Sequence, residues 1–249
     1  MKYKMSEMTW QEFAMVKDKT VLFLPIGSTE QHCFHMPVSV DSIISTRLAE
    51  LTAQQVGGIV APTINYGYKS APFSGGGPLF PGTIDLNGTT LQNLVYDVLT
   101  EFIRDGVRKI FIVNGHYENE AFTLEAVDLV SRLYPEVKIV HADWWDQFPD
   151  AVMDRIFDQV PFPGWGFEHA GITETSMMLY LAPELVDMST LVEQDKKELL
   201  PYAVYPIRKD MVPESGLLAT AFSSTPEKGK LMIDTIVDAF VHIIREELA

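Results

Sequence analysis

Short apolar runs rich in Val, Ile and Phe punctuate the chain at residues 21–27 ("VLFLPIG"), 58–67 ("GIVAPTINYG"), 109–115 ("KIFIVNG") and 138–145 ("KIVHADWW"). Such runs predict buried strands. Between them, residues 41–56, 89–105 and 118–133 place apolar positions three and four apart, the spacing of amphipathic helices. A last helix is signalled by Thr225 as cap, Pro226 in the first turn and one stripe of Ile233, Ile236, Val237, Phe240 and Ile244. Residues 190–224 are irregular and proline-bearing, which predicts an extended excursion over the surface and no second domain. Strands alternating with helices predict one α/β domain over residues 1–249, a three-layer α/β/α arrangement with a mostly parallel central sheet. In such sheets ligands bind beyond the carboxyl ends of the strands.

Charge narrows the choice of ligand. A formal net charge of −15 opposes nucleic acid and anionic membrane alike, since both require a basic footprint. No apolar run approaches the roughly 20 residues of a membrane span. A small-molecule partner is expected. The single cysteine, Cys33, has no intrachain disulfide partner, and the first residues lack the apolar stretch of a signal peptide, so a cytoplasmic setting is expected.

The chemistry sits just after the strands. In "LPIGSTEQHCFHMPVSVD" (24–41), Glu30 is followed two residues on by His32; in "VNGHYENEAF" (113–122), His116 is followed two residues on by Glu118. In extended backbone, side chains i and i+2 point the same way, so each pair faces one side. Adding Asp41, at the start of the following helix, gives five oxygen and nitrogen donors, a set that suits Zn²⁺ or Mn²⁺. Five donors suit two ions better than one, and two ions about 3.5–4 Å apart activate a water for hydrolysis. A lone His or Glu after a strand is ordinarily a cap or a solvated side chain; the repeated pairing is what points to metal. His35 reads as a structural or supporting histidine.

Four motifs, "GSTEQHCFHMPVSVD", "NYGYKSAPFSGGGPLFPGT", "NGHYEN" and "WGFEHAGITETSMML", together resemble the creatininase (creatinine amidohydrolase) family over nearly the whole chain. They are closer to its creatinine-hydrolysing members than to its deformylase and peptidase relatives. The resemblance implies a binuclear site in which Glu30, Asp41 and His116 hold one ion and His32, Asp41 and Glu118 the other, with Asp41 bridging. It implies hydrolysis of a cyclic amide, creatinine to creatine and back, by a metal-bridging water, and a hexameric assembly. Glu118 serves in it as ligand and as catalytic carboxylate.

In "GFEHAGITETS", the resemblance implies His169 as proton shuttle and Glu174 as a pocket carboxylate; read without it, Glu168 and Glu174 equally suit the positive end of a helix. It also implies Trp165 and Trp145 as rings closing over the substrate, with Trp144 an alternative to Trp145 and Tyr117 facing either substrate or core. The run Ser74, Gly75, Gly76 and Gly77 lacks phosphate-loop spacing; it reads as backbone approaching the substrate or as a plain surface loop. Cys33 stands where the family usually has glycine and reads as a small structural residue. Two other readings stay open: a different amide or formamide hydrolase of the same family, or a metal-stabilised binding protein without turnover.

Overall fold

The computed structural model describes residues 2–70, 77–193, 202 and 204–248. Four strands, β1 (Leu22–Ile26), β2 (Ile59–Val60), β3 (Lys109–Asn114) and β4 (Lys138–Asp143), form a parallel sheet in the order β2-β1-β3-β4. Among the described residues seven α-helices accompany them: α1 (Trp10–Ala14), α2 (Val40–Val56), α3 (Gly88–Arg104), α4 (Glu120–Leu133), α5 (Asp150–Ile156), α6 (Ile172–Leu181) and α7 (Pro226–Glu247).

All five residues of β1 are buried, as a central parallel strand covered on both faces requires. Alternation along the strands then feeds two cores. Phe23 and Phe111 point to one side, where their rings lie 5.5 Å apart and Phe240 of α7 meets Phe111 edge-on at 5.0 Å. Here α2, α6 and α7 cover the sheet. Leu22, Leu24, Ile26, Ile110 and Ile112 point to the other side, under α3 and α4. The expected three layers are present. Thr225 accepts the Lys228 N–H at 3.1 Å and Pro226 opens α7, as its sequence predicts.

Three expectations about elements change. The run at 58–67 forms only a two-residue strand: Ile59 and Ala61 donate to the Val21 and Phe23 carbonyls in step, but the next bond to β1 comes from Ile64, to the Pro25 carbonyl, one residue out of step. The helix expected from 118 begins at Glu120, after a 3-10 turn over Tyr117–Asn119. The segment 190–224 is not purely a surface excursion: Val212, Leu217, Leu218, Ala219 and Ala221 are buried, and Leu217 joins the core under α7. Its "GLLATA" run has too few apolar positions to show a period yet enough to demand burial. Among the described residues no helix is long and apolar enough to cross a membrane.

Two glycines bring α2 onto the strand ends. A Cβ at Gly27, just after β1, would lie 2.5 Å from the Ser42 backbone nitrogen, and one at Gly115, just after β3, 2.4 Å from the Asp41 carbonyl oxygen. Both contacts are with backbone, which cannot swing away. Asp41, in the first turn of α2, therefore sits directly over the carboxyl ends of β1 and β3. Gly115→Ala is expected to destabilise the fold by about 1–3 kcal/mol, the usual cost of overpacking. Denaturant unfolding of the purified variant measures it.

Candidate metal centre

Asp41 turns one carboxylate oxygen toward each of two imidazoles. Oδ2 is 3.1 Å from His116 Nδ1, which is also 3.0 Å from Glu30 Oε1; Oδ1 is 3.1 Å from His32 Nε2, which is 3.6 Å from Glu174 Oε2. Two donor groups result, Glu30 with Asp41 and His116, and His32 with Asp41 and Glu174, each with its atoms within 4.8 Å of one another. A third grouping takes in Glu30, His32 and His169.

Backbone carbonyls select the nitrogens. His32 Nδ1 donates to the Glu30 carbonyl at 3.1 Å, and His116 Nε2 to the Tyr68 carbonyl at 2.9 Å. The ring nitrogens left over, His32 Nε2 and His116 Nδ1, are the ones aimed at the carboxylates. His32 Nε2 and Asp41 Oδ2 are buried yet make no hydrogen bond despite their near neighbours. Donors crowded together without bonding one another fit a divalent cation between them. Charge agrees. Burial opposes protonation of both imidazoles, but Glu174 and Asp41 outweigh it at His32, and Glu30, Asp41 and Glu118 at His116, so both pKa values lie well above the usual range. Burial raises the Glu30 carboxyl, whereas the two histidines overcome burial and hold Asp41 low.

The donor grouping around His32 and Asp41 contains Glu174 and not Glu118. Glu118 belongs to neither group; its carboxylate lies 3.4 Å from His116 Nε2, behind the ring, and the place beside His32 and Asp41 is taken by Glu174. The i, i+2 rule assumed extended backbone, whereas the chain enters a 3-10 turn at Tyr117; Glu118 nonetheless lines the same cavity as the two donor groups. Glu174 arrives from the first turn of α6, where it also accepts the Ala170 N–H at 2.7 Å. His35 stands apart, its Nε2 2.9 Å from Thr175 Oγ1 and its pKa lowered by burial to about 4.

A cavity of about 40 Å³ opens on the cluster, lined by His169, Tyr117, Glu118 and Glu174 and walled by Trp144, Trp145 and Trp165. Trp144 stands between the other two indoles, edge-on at 5.5 and 5.7 Å, so both neighbouring tryptophans of "DWWDQ" line the cavity. Tyr117 packs on Trp145 at 5.4 Å and is half exposed. Ser74, Gly75 and Gly76 lie outside the described residues. Gly77 is buried against Ser70, where a Cβ would fall 2.9 Å from the Ser70 carbonyl. Cys33 adopts a left-handed φ of 58°, the backbone freedom that glycine supplies.

Some site residues had no signal in the sequence. The Ser70 hydroxyl donates to Glu30, and the Gln31 side chain touches His169, yet both lie in irregular segments without a period. Glu168 lines the cavity too; burial pushes its carboxyl up to about 8, while Oε1 accepts the Thr173 N–H at 2.7 Å. Glu168 thus takes up a proton on folding, from an ordinary value of 4.5. Its stabilising share is complete at low pH and lost as pH rises through about 8. Metal-free Glu168→Gln is expected to lose less thermal stability than its parent between about pH 5 and about pH 9, which paired melting curves measure. His35 and His141, both lowered to about 4 by burial, act equally in both proteins.

A sequence profile described as creatininase, creatinine amidohydrolase, matches residues 6–244. The chain is similar to the creatinine amidohydrolase of Pseudomonas putida, 39% identical over 249 aligned positions that cover 97% of this chain and 95% of the relative. It is also similar to the 3-dehydro-scyllo-inosose hydrolase of Thermotoga maritima, at 26% identity over 93% of this chain and 78% of the relative. A solved glutamate-to-glutamine mutant of creatininase complexed with creatine superimposes with a TM-score of 0.95, at 37% identity and 99% coverage of both chains. A manganese form of creatininase gives 0.94 at 38% identity, again covering 99% of each. With its profile, its relatives and its fold in agreement, the chain belongs to the creatininase family.

Proposed function

We propose that this protein hydrolyses the lactam of creatinine to creatine, reversibly, at a centre of two divalent ions, Zn²⁺ or Mn²⁺. The observation that supports it most is two donor groups meeting on Asp41, beside His169, in a small cavity walled by three indoles. Glu30, Asp41 and His116 would hold one ion, and His32, Asp41 and Glu174 the other. Bound there, the ions supply a water of lowered pKa and a Lewis acid for the amide carbonyl.

The chain's own residues handle the proton. His169 Nε2 lies 2.8 Å from the Gln31 carbonyl, which can only accept, and 2.8 Å from Gln31 Nε2, which can only donate. Each contact suits a different tautomer, so Nε2 has a partner whether or not it carries the hydrogen. Nδ1, 3.8 Å from Glu30 Oε1, is thereby free to be base in one step and acid in the next. An amide nitrogen leaves poorly without a proton, and His169 is placed to give it one. Trp145 and Trp165 offer faces for a flat ring and keep bulk water out, while Glu118 sets a further carboxylate at the cavity wall. The proposal includes a cytoplasmic, hexameric protein, supported by the lone cysteine and by family kinship.

The small cavity favours a compact cyclic amide over a peptide. Metal-loaded protein incubated with creatinine, N-methylhydantoin and a formylated aminopyrimidine, followed by mass spectrometry, is expected to convert creatinine; conversion of another compound alone would reassign the substrate. Chelator-treated protein is expected to lose turnover and regain it with Zn²⁺ or Mn²⁺. Full activity in a preparation shown metal-free by elemental analysis would refute the metal centre. His169→Ala is expected to keep its metal content and thermal midpoint while turnover falls by about 10² or more. An undiminished rate in a less stable protein would make His169 merely structural.

A further inference from the structure

Three segments border the first donor group, two of them carrying Glu30 and His116, and one amide touches all three. Asn119 is fully buried. Its Oδ1 accepts the Tyr68 N–H at 2.8 Å, and its Nδ2 donates to the Gly27 carbonyl at 3.0 Å and to Asn114 Oδ1 at 3.4 Å. Gly27 begins the loop that carries Glu30, Tyr68 the segment that carries Ser70, and Asn114 ends the strand before His116. The fit leaves no slack, since a Cβ on Gly67 would lie 2.7 Å from Asn119 Oδ1 and 2.9 Å from the Gly27 carbonyl. Tyr68 is the residue whose carbonyl receives His116 Nε2–H at 2.9 Å.

We infer that Asn119 is a positioning residue that, by pinning Tyr68, fixes the His116 tautomer and so the nitrogen presented to the cation. The inference rests on the metal-centre reading above. The peptide unit on each side of Tyr68 moves with that residue: held at its N–H by Asn119, it offers its carbonyl to Nε2 and to no other ring atom. Nδ1 is then left with its lone pair between Glu30 and Asp41. Without the Asn119 acceptor, Tyr68 is released, and Glu118, 3.4 Å from the same Nε2, competes for that hydrogen and turns the ring. The same amide holds the Gly27 loop, but by its donor end, so the two functions separate by chemistry. An aspartate at 119 keeps the acceptor for Tyr68 and loses both donors; an alanine loses everything.

The experiment compares Zn²⁺ binding by competition with a chromophoric chelator, for the full chain and for Asn119→Ala and Asn119→Asp, each with its metal-free melting temperature. Asn119→Ala is expected to bind the tighter Zn²⁺ about 10- to 100-fold more weakly per folded molecule, the usual effect of removing a group that orients a ligand. Asn119→Asp is expected to melt lower yet stay within about threefold of the parent in affinity, well short of that loss. Nitrogen-15 spectra of the Zn²⁺ forms should show His116 with Nδ1 coordinated and Nε2 protonated in the parent and in Asn119→Asp. Parent-like affinity in folded Asn119→Ala overturns the inference, as does an equal loss in both variants. Should the alanine variant not fold, the His116 signals of Asn119→Asp decide, and an Nε2-coordinated ring there overturns it. A parent that binds no Zn²⁺ overturns the metal-centre reading, and this inference with it.

Discussion

The carboxylate of Asp41, buried between two imidazoles at the start of α2, is the contact on which the rest of the site depends. Each oxygen serves a different histidine, so a shift of α2 by a fraction of an ångström changes both donor groups together. The helix cannot drift easily. It is seated on Gly27 and Gly115 from below and packed against α6 and α7 along its length. The two imidazoles in turn are turned by backbone carbonyls, which belong to loops continuous with the sheet. Packing of the core and placement of the donors are one mechanical problem.

Much of this is visible in the sequence for a simple reason. Parallel strands covered on both faces must be almost wholly apolar, so β1 and β3 stand out, and polar residues immediately after them mark the edge where function gathers. Glu30, His32, Asp41 and His116 occupy that edge. The covering helices α2, α3, α4 and α7 are legible from their apolar spacing, with a 3-10 turn delaying α4 to Glu120, whereas α6, buried on every side through its first seven residues, shows no stripe.

What the sequence hid depends on long-range contact or on local backbone form. Glu174 is 142 residues beyond His32 in the numbering, and nothing local announces that α6 aims its first turn at the strand ends. Spacing pairs Glu118 with His116 but carries no knowledge of the 3-10 turn that sets the direction of its side chain. Ser70, Gln31 and Asn119 are short polar side chains in irregular segments, where side-chain direction follows from tertiary packing alone. The buried stretch around Leu217 was too brief to reveal itself as core, although its Gly216 carbonyl takes a hydrogen bond from Gln31 beside the site.

The two glycines under α2 carry no functional group, yet they tolerate change less than the indoles that line the cavity. A library aimed at a new substrate should therefore vary the walls, Tyr117, Trp145 and Trp165, which approach the donors from above. Positions 27 and 115 should be frozen, because there the requirement is for missing atoms, and every other amino acid adds one.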